Sequence, residues 1–116
     1  MKLQLQGQHL RVRITEAELA ELRAGVTLEN ITRLGPDAPW RQSLRQTDAD
    51  APELRSAGGH CVIGIPANMI EAYAQRLPCR DGLALHLQTG TEAVELVFEV
   101  DVRDSVRTRG GVRRQH

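Results

Sequence analysis

Hydrophobic and polar residues alternate with period two at both ends of this chain. Leu3 and Leu5 alternate with Lys2, Gln4 and Gln6; after Gly7-Gln8, Leu10, Val12 and Ile14 alternate with His9, Arg11 and Arg13. Successive side chains of a strand point to opposite faces, so the pattern predicts a hairpin with one aliphatic and one polar face. The far end repeats the theme. Leu83, Leu85 and Leu87 precede Thr89-Gly90-Thr91, and Val94, Leu96, Phe98 and Val100 follow it.

Between the hairpins the period changes. Thr15 followed by Glu18 is a capping box, Leu19 and Leu22 share one helical face, and Gly25 supplies a stop. This predicts a short first helix that needs the sheet to stay folded. Residues 26–34 and 40–46 read as strands around a turn at 35–39, and 47–53 as an acidic loop. Gly58-Gly59 leads into His60-Cys61-Val62-Ile63-Gly64-Ile65, a buried strand. Pro66 then opens a second helix with Ile70, Tyr73, Ala74 and Leu77 as its apolar stripe, ended by Pro78.

Sliding the chain by 51 residues aligns Leu3 with Leu54, Gly7 with Gly58, His9 with His60 and Ile14 with Ile65 without a gap. Two readings stand: a ββαββ unit repeated about a pseudo-two-fold axis, or the generic likeness of any two strand–helix units. The expected fold is α+β: an antiparallel sheet of six to eight strands, able to curl into a half-barrel, with two short helices on one face.

Composition narrows the rest. The 116 residues suit a single domain, expected over residues 1–102, with only three aromatics and therefore an aliphatic core. The net charge is zero, but residues 1–100 carry ten basic and thirteen acidic groups, whereas 101–116 carry five Arg and two Asp. Residues 103–116 are expected to be a disordered basic tail. Two cysteines are too few for a disulfide framework, and no apolar segment suits a signal or a membrane span, so a cytoplasmic protein with free thiols is expected.

Candidate chemistry begins with Arg11 and Arg13. Two residues apart on one strand, they share a face at about 7 Å and suit bidentate capture of a phosphate or carboxylate. The competing reading pairs them across strands with the acidic stripe Glu95, Glu99 and Asp101. His60 and Cys61 point to opposite faces, and with Cys79 and His86 they lack any metal-ligand spacing, so neither a metal nor a cofactor is expected. The start of the second helix, after Gly64, is an anion site only in outline, since Pro66 removes a donor.

The opening also resembles a small bacterial family of uncharacterised proteins. The matching residues are Gly7, Leu10, Arg11, Arg13, Ile14, Thr15 and Glu18, with Ile65-Pro66 and Glu71-Ala72 further on. The resemblance implies a bacterial protein and transfers no activity. The leading expectation is a non-enzymatic binding or interaction module, with a protein partner or as a homodimer. Next comes a binder of, or enzyme acting on, a small anion held by Arg11 and Arg13. Nucleic-acid association through the tail is third; the acidic body and scarce aromatics weigh against it.

Overall fold

The N-terminal alternation folds as an antiparallel hairpin of β1 (Lys2–Gln6) and β2 (His9–Thr15), with Leu3 opposite Val12 and Gln4 opposite Arg11. The structure is a computed structural model and describes residues 1–37, 39–79 and 81–102. The tail expected at 103–116 lies outside the described residues.

Helix α1 (Glu16–Arg23) starts where the capping box places it. The Thr15 hydroxyl accepts from the Glu18 N–H, and the Glu18 carboxylate accepts from the Thr15 N–H, both at 3.0 Å. It stops in a Schellman arrangement: the Val26 N–H donates to the Glu21 carbonyl and the Gly25 N–H to that of Leu22. Gly25 adopts φ +95°, a conformation that costs a Cβ-bearing residue.

The remaining elements are β3 (Leu28–Thr32), β4 (Trp40–Thr47), β5 (Glu53–Ala57), β6 (His60–Pro66), α2 (Ala67–Gln75), β7 (Leu83–Thr89) and β8 (Glu92–Asp101). Pro66 closes β6 and stands at the N-cap of α2, one position before the place expected for it.

Among the described residues the strands form two mixed four-stranded sheets, ordered β1-β2-β8-β7 and β3-β4-β6-β5. This corrects the expectation of one antiparallel sheet. The central pairs, β2 with β8 and β4 with β6, run parallel. The cause is the route of the chain. α1 carries it from β2 in the first sheet to β3 in the second, and α2 carries it from β6 in the second to β7 in the first. Hairpin periodicity reports the local antiparallel partner; the parallel neighbour arrives only after a long excursion.

Nor do the helices lie over one face of a single sheet. α1 touches β2 and β8 of the first sheet and β3 and β4 of the second, while α2 packs on β4 and β6. One apolar cluster joins all of them: Val12, Ile14, Leu22, Leu44, Ile63, Ile65, Ile70, Tyr73, Leu96 and Phe98 are essentially inaccessible. Each such side chain contributes roughly 1.5–3 kcal/mol on transfer from water, before its ordering entropy is counted. Tyr73 of α2 meets Phe98 of β8 edge-on at 5.7 Å between ring centroids, and its hydroxyl accepts from the Val100 N–H at 3.3 Å.

Neither sheet closes on itself. β7 of the first lies against β5 of the second, whereas the opposite edges, β1 and β3, make no comparable contact. No helix among the described residues is long and apolar enough to cross a membrane.

Candidate functional site

Once β1, β2, β8 and β7 are in register, the polar residues of their outer face fall into rows. Lys2 lies opposite Arg13, which lies beside Glu99; Gln4 lies opposite Arg11, which lies beside Val97; Gln6 lies opposite His9, which lies beside Glu95. The alternation of β2 sends Leu10, Val12 and Ile14 into the core and so obliges His9, Arg11 and Arg13 to face outward.

The two arginines have different neighbours. Arg13 Nε donates to Glu99 Oε1 at 3.2 Å, and His9 Nδ1 lies 3.0 Å from Glu95 Oε1. Arg11 sits between Gln4 and Val97 and makes no ion pair with any described residue. The cross-strand pairing expected from the sequence therefore holds for Arg13 with Glu99, while Glu95 is taken by His9. Exposed pairs of this kind contribute at most about 1 kcal/mol, so they orient side chains more than they stabilise the fold.

Lys2, Arg11 and Arg13 line one groove of about 540 Å³, together with Gln4, Glu99 and Asn30 of β3. It lies at the parted β1 and β3 edges. A second depression of about 660 Å³ adjoins it, and Gln4 and Arg11 border both. Three cationic side chains face a single carboxylate there, and that carboxylate is already engaged; the ammonium of Met1, which also lines the groove, is held by Glu18. In the other sheet, the row Arg45, Gly64 and Glu53 neutralises itself, with Arg45 Nη2 at 3.7 Å from Glu53 Oε1. Guanidinium and ammonium groups so placed donate to carboxylate or phosphate oxygens.

Lys2 was missed in reading the sequence, yet its signal is there. A two-residue turn at Gly7-Gln8 obliges Lys2 to face Arg13. Glu99 as the specific partner of Arg13, 86 positions away, has no local signal.

The other candidates are kept apart. His60 Nε2 lies 2.8 Å from the buried Ser43 hydroxyl. Cys61 packs against the core, and burial pushes its thiol above the usual range, so it stays protonated near neutrality. The Cys79 thiol donates to the Asp81 carbonyl at 2.9 Å, and His86 of β7 lies in register with Glu95 of β8. Both cysteines are free. Among the described residues, no group of three or more His, Cys, Asp and Glu side chains is placed to hold a metal ion. Helix α2 begins at Pro66 without a side-chain cap.

No curated protein and no solved structure matches the chain. A family-level match spans residues 1–104, which takes in both sheets, both helices and the cationic groove. On that match, this chain belongs to the family of unknown function DUF7009.

Proposed function

We propose that residues 1–102 are one non-enzymatic binding module that takes an anionic group, carboxylate or phosphate, in the groove of Lys2, Arg11 and Arg13. The observation that carries this reading is the isolation of Arg11. It has no acidic neighbour in its row and no ion pair among the described residues, and it shares its groove with two further cations. A free guanidinium flanked by like charge is electrostatically unfavourable until an anion arrives.

The arrangement of strands gives the groove its place. In our reading the two sheets act as an open half-barrel, joined where β7 meets β5 and parted between β1 and β3, so that the parted seam is the mouth. The 51-residue offset supports a pseudo-two-fold relation between the halves: Lys2 faces Arg13 as Glu53 faces Gly64, and Gln6 faces His9 as Ala57 faces His60. On that relation the second seam repeats the first with its charges cancelled, leaving one binding mouth. The free Cys61 and Cys79 support a reducing, cytoplasmic setting.

Thermal unfolding with inorganic phosphate and with glutarate at low salt tests the reading. A ligand at a hundred times its Kd stabilises by about 2.7 kcal/mol, so Tm rises with concentration, and the rise shrinks as salt increases. Arg11→Ala abolishes the shift. Equal shifts in the variant and the wild type refute the site.

A further inference from the structure

We infer that the anionic group arrives on an extended acidic segment of a partner protein, which pairs its backbone with the open edge of β1. This rests on the anion-binding reading of the groove and names what carries the anion. Among the described residues β1 bonds to β2 on one side only. Its other side therefore presents unpaired backbone donors and acceptors over about 17 Å. β3, the edge that would cover it, makes no contact comparable to that of β5 with β7. The groove runs along this edge, from Lys2 and Gln4 to Asn30.

A strand added here alternates its side chains as β1 does. One set falls beside Lys2, Gln4 and Gln6, with Arg11 one strand further in, across Gln4. The other falls beside Leu3 and Leu5 on the core-facing side, where Leu5 is 67% exposed. The cations select acidic residues for the first set, and the two leucines select aliphatic ones for the second. The segment that fits therefore alternates Glu or Asp with Val, Ile or Leu and enters by strand addition, backbone bonds supplying affinity and side chains specificity. A second copy of this chain fits less well, because β1 against its own copy brings two Lys2, Arg11 and Arg13 groups to one seam.

The test uses the full chain and fluorescein-labelled peptides in polarisation at low salt, with amide NMR spectra of the complex. One peptide alternates Glu and Val; a second has the same composition in two blocks; a third alternates Lys and Val. The alternating Glu/Val peptide is expected to bind about tenfold or more tighter than the other two, and Arg11→Ala to weaken it about tenfold. Its amide shifts gather on Lys2–Gln6, and the amides of that strand gain exchange protection. Equal binding of the block peptide, or shifts gathered elsewhere, overturns the proposal. So do β1 amides already protected in a concentration-dependent dimer, which assign the edge to a second copy. A phosphate shift that depends on Arg11, without preference for the alternating peptide, ends strand addition and leaves the anion site standing. Binding along β1 that ignores Arg11→Ala ends the anion site, and with it the acidic segment proposed to fill that site.

Discussion

At Gly64 two neighbours exclude a side chain. A Cβ there would stand 2.8 Å from Thr47 Cγ2 and 3.0 Å from Glu53 Cγ. Glu53 leans across this gap toward Arg45, and the branched side chain of Thr47 is too short to swing clear without moving β4. Gly64→Ala is expected to destabilise by about 1–3 kcal/mol through overpacking, read as a lower urea midpoint at unchanged m-value. The sequence shows Gly64 only as a break in an apolar run. Its role is set by strands β4 and β5 pressing from both sides, which no local pattern reports. The same holds for Arg11 and Arg13. Their shared face is legible from alternation, but only the arrival of β8 sets Arg13 beside Glu99 and Arg11 beside Val97.

At the scale of elements, α1 is the clearest case of local encoding. Its cap, its length and its glycine stop all lie within eleven residues of chain, Thr15 to Gly25, and each forms as read. Removing the cap with Thr15→Ala is expected to lower stability by about 1 kcal/mol in urea denaturation near neutral pH. Glu18 adds a pH-dependent part. Burial alone would raise its carboxyl, but bonds from the Met1 ammonium, at 2.7 Å, and from Thr15 outweigh this and hold it below the ordinary 4.5. A depressed carboxyl stabilises the fold above its unfolded-state pKa, and that stabilisation is lost as pH falls through the folded-state value. Glu18→Gln is therefore expected to be less stable than the wild type near neutrality, with the difference closing below pH 4.5 in acid titrations followed by circular dichroism. The edge strands are the opposite case. β1 reads in the sequence as half of a hairpin, and nothing local says that it ends the sheet formed by the described residues.

At the scale of the whole molecule, Tyr73 ties the second helix to the central strand of the first sheet. Burial pushes its phenol up, so it stays protonated and neutral through the ordinary pH range. Tyr73→Phe keeps the edge-on contact with Phe98 but leaves the buried Val100 N–H without its acceptor. It is expected to cost about 1–3 kcal/mol, and amide exchange along β8 is expected to quicken with it. A bidentate Arg23–Glu71 pair, at 2.9 and 2.6 Å, also joins the two helices. Both side chains are nearly half exposed, so it guides their docking more than it holds them.

By itself the sequence determined the α+β class, the hairpins of residues 2–14 and 83–101, the first helix with its stop, the existence of the second helix, which ends at Gln75 rather than at Pro78, and the polar face that carries Arg11 and Arg13. Those features depend on contacts between residues close along the chain, and side-chain period records them. The tertiary structure alone decided that there are two sheets, that β2 and β4 each take a parallel neighbour, and that the β1 and β3 edges stand apart beside a cationic groove. A parallel pairing such as that of Arg13 and Glu99 closes a loop of most of the chain. Its register is chosen by how both helices and both sheets share one core, and period-two alternation is the same for every neighbour a strand could take.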